Sequence, residues 1–241
     1  MINNNILKMN KLILAAIFLM ATSTMFSQKM VTINGKVTDF SGKPIVSAMI
    51  EAKTNLFEMK YHAFSDKNGN YAINVEEGTY IGISCIRMAD YGKTHLEAWA
   101  WNVPAYNNMT INMRYERLEV YGLNVFKIQG AHRGFTIYCR PMSLTRYLNW
   151  EKNPSSLMNI APDPDKIRVD VSINGSPAKI NLVEKVKEYA GKQIAEAYLI
   201  YTDFGAVTNK PYDEIKVTIT DLENGDKGEA IYFRPKDKYV D

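Results

Sequence analysis

Residue types that usually carry catalysis are sparse in this chain, and their spacing fits no known catalytic pattern. The histidines His62, His95 and His132 stand in no Ser/His/Asp or metal-ligand spacing, and no Gly-x-Ser-x-Gly sequence occurs. Carboxylate pairs such as Asp163 and Asp165 lie in proline-rich or turn contexts. Hydrolysis by two carboxyl groups needs them at a fixed separation across a cleft, which adjacency in sequence does not provide. We therefore expect no catalytic residue, no metal site and no cofactor.

Two turns carry acidic and amide side chains, whose oxygens are of the kind that binds cations. Asp66, Asn68 and Asn70 place oxygen-bearing side chains two positions apart, as at the beginning of an EF-hand loop. The same residues surround an Asn-Gly pair, which is typical of a tight β-hairpin, and the hairpin accounts for each of them. A later run with Asp221 and Asp226 is predicted to be a solvated hairpin tip.

The sequence has two cysteines, Cys85 and Cys139, and both stand in strand-like contexts. In an exported protein they can pair as a disulfide. Buried, unpaired thiols on strands are the alternative, and the sequence leaves both open. Neither cysteine has a second cysteine or a histidine at ligand spacing, so a metal site is not predicted.

The aromatic residues are the strongest candidates for ligand binding. Trp99 and Trp101 are two positions apart, so a strand places both rings on one face, roughly 6.5–7 Å apart. Tyr106 follows in the next loop, and Tyr147 and Trp150 lie about one turn apart on a predicted helix. Exposed aromatic faces beside amides suit a sugar, whose C–H face packs on a ring. The alternative is that the tryptophans form core.

The segments that position these residues are mostly strands. Alternation of apolar residues predicts strands around Ile33 and Val37, around Ala48 and Ala52, and after the Asn-Gly turn. Asp39 to Gly42 is predicted to be a turn, with Gly42 free to take positive φ.

The first part of the chain resembles a known family in its order of turns and strands. About residues 30–116 resemble the carboxypeptidase regulatory-like domain, a transthyretin-like seven-stranded β-sandwich common in secreted and surface proteins of Bacteroidetes. The residues that carry the resemblance are Gly35, Asp39, Gly42, Pro44, Ala48, Asp66, Gly69, Tyr71, Gly78 and Tyr80. The resemblance implies a scaffold or binding module and names no ligand.

The predicted fold class is all-β, with two packed β-sandwich domains, the second carrying one or two short helices. We predict a first domain over residues 28–116, a connecting segment over 117–130 and a second β-rich domain over 131–241. In the second domain Ser143 is predicted to cap a helix over Leu144 to Trp150 that ends before Asn153 and Pro154. Residues 181–189 are either a short helix or an irregular strand.

Residues 1–27 are predicted to be a secretory signal peptide. Lys8 and Lys11 precede a short apolar run from Leu12 to Met20, and small or polar residues follow. Removing this segment lowers the formal net charge from +3 to about +1. A near-neutral surface disfavours a nucleic-acid partner, which needs a concentrated basic face. We expect an exported protein, periplasmic, surface-associated or secreted, with no membrane-spanning segment after cleavage.

These observations favour a non-catalytic binding protein with a role in polysaccharide binding or utilisation at the bacterial surface. A second hypothesis is a structural or assembly module that docks onto an envelope or secreted protein through a sheet edge. A third is a hydrolase with dispersed catalytic residues.

Overall fold

The computed structural model describes residues 28–128, 130 and 132–236, so the predicted signal peptide lies outside it. The described chain is an all-β protein of packed sheets, as the sequence predicts. The strands of the first half are β1 (Met30–Thr38), β2 (Met49–Lys53), β3 (Met59–Phe64), β4 (Asn70–Glu76), β5 (Gly78–Ile86), β6 (Ala98–Ala105), β7 (Met109–Thr110), β8 (Met113–Arg114) and β9 (Leu118–Phe126).

The second half adds seven strands and two short helical segments among the described residues. They are β10 (Gly134–Ser143), helix α1 (Leu144–Lys152), a 3₁₀ turn (Pro164–Lys166), β11 (Ile167–Ile173), β12 (Ser176–Pro177), β13 (Ile180–Ala190), β14 (Gln193–Asp203), β15 (Tyr212–Asp221) and β16 (Lys227–Pro235). Helix α1 begins where predicted, because Ser143 Oγ accepts a hydrogen bond from the Arg146 backbone N–H. The segment after residue 180 is a strand, not a helix.

One large sheet runs through both halves of the chain. Its eight strands follow the order β12-β11-β15-β16-β6-β5-β2-β3, and β16 pairs in parallel with β6. A sheet of β1, β4, β7 and β8 packs on one side, and a sheet in the order β13-β14-β10-β9 contributes to a second core. The two halves therefore share backbone hydrogen bonds. We predict from the sequence that the first domain folds alone when the chain is cut near Gln129, and this prediction and the domain boundaries at 116 and 131 remain untested.

Strand β6 supplies side chains to both hydrophobic cores. Ala98 and Ala100 face the first core, whereas Trp99 and Trp101 face the second. Beyond Asn102 the alternation reverses, because Val103 again faces the first core. Asn102 has φ of +53°, a left-handed conformation that few non-glycine residues adopt. The reversal gives the chain an irregular point directly beside the tryptophan pair.

Both early turns have the predicted chemistry: in the first, Gly42 has φ of +86° and Oδ1 of Asp39 accepts hydrogen bonds from the backbone N–H groups of Ser41 and Lys43. Oδ1 of Asp66 accepts hydrogen bonds from the backbone N–H groups of Asn68 and Asn70, each at 2.8 Å, and Gly69 has φ of +79°. This is the hairpin turn that the sequence indicates.

The acidic turn between β15 and β16 corrects the sequence analysis only at its two aspartates. Residues 222–225 are exposed, as expected of a solvated tip, whereas Asp221 is fully buried and Asp226 is 2% exposed. Nε of Arg146 donates to Oδ2 of Asp221 at 2.6 Å, and Nε of Arg117 donates to Oδ1 of Asp226 at 2.9 Å. The two carboxylates anchor the β15–β16 hairpin near the beginning of α1. Each buried carboxylate has a cationic partner, as buried charges need.

The cysteines do not form a disulfide. Both are buried free thiols, with Cys85 in the first core and Cys139 in the second. The alternative of two unpaired, strand-borne thiols is therefore the correct one. Burial raises the pKa of both thiols, that of Cys139 to about 12.

Candidate functional site

The tryptophan pair lies in the second core, and this corrects the hypothesis of a solvent-facing sugar platform. Trp99 is 3% exposed and Trp101 is 6% exposed. Their rings stack with centroids 4.5 Å apart and an interplanar angle of 16°. Gly82 on the neighbouring strand permits this packing, because a Cβ there would lie 3.2 Å from Cε3 of Trp99.

Phe57 and Tyr121 enclose the stacked indoles. Phe57, in the β2–β3 turn, lies 5.6 Å from Trp99 and 6.3 Å from Trp101 between ring centroids, and it is 40% exposed. Tyr121 meets both indoles edge-on, at 6.0 and 5.4 Å. The Phe57 backbone has φ of +65°, which costs an L-residue about 1–2 kcal/mol. Such strain at exposed aromatic residues is frequent at functional sites.

The two indole N–H groups have different surroundings. Nε1 of Trp99 donates to Oε1 of Glu119 at 2.8 Å within the core. Nε1 of Trp101 is buried and has no hydrogen-bond partner among the described residues. A buried donor without a partner costs about 1–3 kcal/mol, so a structure seldom retains one without a reason. The Trp101 N–H is therefore the unsatisfied group of the pair.

Trp101 forms part of the wall of a cavity of about 300 Å³. Its other lining residues are chiefly amides and apolar side chains, namely Asn55, Ile81, Asn102, Gly122, Leu123, Asn124 and Tyr232. Nδ2 of Asn102 donates to the Phe233 carbonyl at 2.7 Å, which fixes that side chain. Asn55 and Asn124 are exposed and Tyr232 is half-buried. The lining combines the Trp101 ring with three asparagines and a tyrosine, residue types whose amide and phenol groups can recognise hydroxyl groups.

Two carboxyl groups near Trp99, those of Glu97 and Glu119, have raised pKa values. Burial, and next the charge of Glu97, raise the pKa of Glu119 from 4.5 to about 8. Burial also raises the pKa of Glu97. Glu119 is 3% exposed and does not line the cavity beside Trp101. Burial in the core accounts for the raised pKa of Glu119. Because Glu119 does not line the cavity, it is not a candidate for catalysis there.

The other predicted ligand-binding residues lie away from the cavity. Tyr106 is 47% exposed at the end of β6, and its hydroxyl lies 3.0 Å from Oγ1 of Thr79. Tyr147 and Trp150 are half-buried neighbours on α1, with centroids 6.1 Å apart. Trp150 donates its indole N–H to the Ser155 carbonyl at 3.3 Å. Trp101 is thus the one predicted residue that the structure places in this cavity wall, with Trp99 stacked behind it.

Sequence reasoning missed the asparagines and Tyr232. Asn102 directly follows Trp101, so an amide beside the tryptophans was readable from the chain. Tyr232 comes to the site because β16 pairs with β6 and places it opposite Trp101. No local pattern indicates that pairing, since the two residues are far apart in the sequence.

Residues 28–128, 130 and 132–236 contain no group of three or more His, Cys, Asp or Glu side chains arranged to hold a metal ion. Within the same residues, no helix has the length and apolar character needed to cross a bilayer.

Comparison with known proteins gives no family for this chain. No protein-family model and no curated protein matches it. A solved DUF3823 family protein from Parabacteroides merdae ATCC 43184 is 10% identical with a TM-score of 0.29, over 86% of this chain and 100% of that one. A "putative carbohydrate binding protein" from Bacteroides uniformis ATCC 8492 has the same identity and TM-score, over 86% and 99%.

The major pilin subunit BcpA of Bacillus cereus is 12% identical with a TM-score of 0.29, over 85% of this chain and 68% of that one. Similarity at this level supports no inference about function. The assignment of the candidate site is therefore based on the geometry of the residues around Trp101 alone.

Proposed function

We propose that this chain is an exported, non-catalytic β-sandwich protein that binds carbohydrate, as an accessory to polysaccharide binding or utilisation at the bacterial surface. The binding site is the cavity beside Trp101. Export is supported by the sequence of residues 1–27, and the binding-module character by the resemblance of residues 30–116 to the carboxypeptidase regulatory-like domain.

One observation carries the proposal: Trp101, whose buried indole N–H has no hydrogen-bond partner among the described residues, belongs to the wall of a cavity lined by amides and apolar groups. The N–H itself is not accessible to solvent, so a ligand hydroxyl would satisfy this donor once the lining side chains shift to admit it, which removes the cost of leaving it unpaired. The amides of Asn55 and Asn124 offer both donors and acceptors at the cavity mouth, while Leu123 and Ile81 provide apolar surface. Sugars present this mixture of hydroxyls and C–H faces.

The decisive variant is Trp101→Phe, which removes the N–H and keeps an aromatic ring. Wild type and variant would be screened against a broad panel of algal and plant polysaccharides, and the dissociation constants of the hits measured by calorimetry. We expect the variant to bind at least about tenfold more weakly, as for a lost hydrogen bond whose partner is left unpaired. Asn124→Ala should weaken binding similarly, whereas Asn149→Ala, an exposed asparagine on α1, should not.

Thermal melts of each variant would show that it is folded. A folded Trp101→Phe protein that binds every glycan as tightly as wild type would eliminate this site. Release of reducing ends from a bound polysaccharide would instead support the third hypothesis, a hydrolase with dispersed catalytic residues.

The assembly-module hypothesis has one structural observation in its favour. Strand β13 has 11 residues and lies at the end of its sheet, with Tyr189 89% exposed. A long end strand is the kind of edge that accepts a strand from a partner. Charged residues on it, among them Lys187, also oppose unspecific pairing. Wild-type protein that binds no member of the glycan panel would favour this alternative.

A further inference from the structure

A second concave surface lies on the large sheet, away from the tryptophan pair. Two adjoining cavities of about 390 and 290 Å³ share Arg114 and Lys216 in their walls. The larger one extends along β11 and β15, and the smaller one reaches Lys36 and Asn112. Together they form a continuous surface, called here the basic groove, where the sheet of the first half meets strands of the second.

A buried carboxylate organises the cations of the basic groove. Glu229 is 3% exposed and accepts hydrogen bonds from Nε of Arg114 at 3.3 Å, from a second guanidinium nitrogen of the same residue, and from Oγ1 of Thr218 at 3.0 Å. Nζ of Lys216 lies 3.7 Å from Oε1 of Glu229. One carboxylate thus holds two cations in place and neutralises only one of them, which leaves the groove with excess positive charge.

One further cation, Lys36, lines the groove, and Lys227 contacts the same Phe40 ring as Arg114. Lys36 is exposed on the wall of the groove, and its ammonium group makes no hydrogen bond or ion pair with the described residues. Nζ of Lys227 lies 4.5 Å from the centroid of the Phe40 ring, and Cζ of Arg114 lies 4.9 Å from the same centroid. The ring therefore restrains the guanidinium group on one side while Glu229 restrains it on another. The only other carboxylate that lines the groove, Asp170, lies 3.3 Å from Nε of Arg168.

The rest of the wall is suited to a polar chain with apolar faces. Val169, Pro177 and Ala178 form an apolar side. Ser172 and Thr38 present hydroxyl groups, and the other lining residues that can hydrogen-bond are Asn112 and Thr218. An uncharged apolar ligand would leave the cations without a counter-charge. A ligand with anionic groups spaced along a hydroxylated chain would pair with both sides of the wall.

We propose that the basic groove binds an acidic polysaccharide, whose carboxylate or sulfate groups pair with Arg114, Lys216 and Lys36. The anionic character follows from the groove itself. The carbohydrate character depends on the proposed function, although the site differs from the cavity beside Trp101.

The test compares wild type with the double variant Lys36→Gln/Lys216→Gln. Binding of polygalacturonate (carboxylate) and dextran sulfate (sulfate) would be measured at low salt, with neutral dextran as the reference polymer. The control variant Lys67→Gln/Lys192→Gln removes the same charge from exposed turns outside the groove. Arg114→Lys is a second variant, because it keeps the positive charge beside Glu229 but loses the planar fork that binds two oxygens at once.

We expect wild type to prefer at least one acidic polymer over dextran, and the groove variant to lose about tenfold or more in affinity. The control should stay within about twofold of wild type, because Lys67 and Lys192 line neither cavity of the basic groove. Arg114→Lys should be intermediate. Binding to the carboxylate but not the sulfate polymer, or the reverse, supports the proposal and distinguishes the two chemistries.

An equal loss in the groove variant and the control would overturn the proposal, because it would show unspecific charge attraction. Absence of any preference for acidic polymers would also overturn it. Trp101→Phe separates this inference from the proposed function: retained acidic-polymer binding with loss of the other glycans shows two independent sites. Binding that depends on Trp101 but not on Lys36 and Lys216 would leave the proposed function standing and refute the groove.

Discussion

Glu119 accepts a hydrogen bond from the indole N–H of Trp99 at 2.8 Å inside the second core, while the stacked indole of Trp101 has no such partner among the described residues. The two tryptophans are thus equivalent in type and nearly equivalent in burial but differ in hydrogen bonding. That difference separates a structural contact from a candidate contact with a ligand.

The pKa of Glu119 makes the stability of the fold depend on pH. Burial raises this pKa from 4.5 to about 8, so the folded state keeps a proton that the unfolded chain loses above pH 4.5. The contribution is fully present below pH 4.5 and is lost as the pH rises through about 8. Melting temperatures should therefore fall over this range by more in wild type than in Glu119→Gln, which has no charge to bury. Identical pH profiles of the two proteins would contradict this prediction.

Removing the indole N–H of Trp99 should lower the free energy of unfolding by more than removing that of Trp101. Trp99→Phe leaves the buried Oε1 of Glu119 without its donor, which costs about 1–3 kcal/mol beyond the loss of ring volume. Trp101→Phe removes an N–H that has no partner and should incur mainly the packing loss. Denaturant unfolding of the two single variants measures the difference directly. If Trp101→Phe is less stable than Trp99→Phe, the proposed difference between the two indoles is wrong.

The strained backbone of Phe57 predicts an unusual order of two variants. Glycine ordinarily destabilises a folded chain relative to alanine, because it has more freedom when unfolded. At φ of +65°, however, alanine retains a cost of about 1–2 kcal/mol that glycine avoids. Phe57→Gly should therefore be at least as stable as Phe57→Ala in chemical denaturation. A clear advantage for alanine would mean that this turn relaxes when the ring is removed.

The hairpin between β15 and β16 should be sensitive to the loss of Asp226, which is buried at its base. Its carboxylate accepts hydrogen bonds from Ser143 Oγ at 2.6 Å and from the Thr145 backbone N–H at 2.8 Å, in addition to the contact with Arg117. Asp226→Ala leaves its buried hydrogen-bond donors unpaired, whereas its cationic partner Arg117 is 37% exposed and can be solvated, so we expect a loss of about 1–3 kcal/mol in unfolding free energy. Asp165→Ala, at an exposed carboxylate, is the matched control and should change it little. Equal stabilities would show that the network contributes nothing.

The thiols should be unreactive in the native protein. Cys85 and Cys139 are fully buried, and burial raises the pKa of each, so little thiolate is present at neutral pH. We expect an aromatic disulfide reagent to modify neither thiol in buffer within the time that it modifies both in denaturant. Mass spectrometry of the native protein should show two free thiols, and a mass lower by two hydrogens would indicate a disulfide.

The sequence by itself determined the local features of this protein. The turn at Asp66 and the beginning of α1 at Ser143 follow from hydrogen bonds between residues at most four positions apart. The strand alternation likewise follows from which residues prefer burial, so the all-β class was predictable. These features need no knowledge of what lies elsewhere in the chain.

Only the tertiary structure decided where the tryptophans face and what the site contains. Strand β16 pairs with β6 and brings Tyr232 opposite Trp101, and the second core then covers a face that sequence alone left open to solvent or core. Contacts with Arg117, Ser143 and Arg146, all distant in sequence, bury Asp221 and Asp226 near the beginning of α1, although the sequence predicts a solvated turn. Alternation places residues on one face of a strand but does not say what packs on that face, because this depends on contacts between segments far apart in the chain.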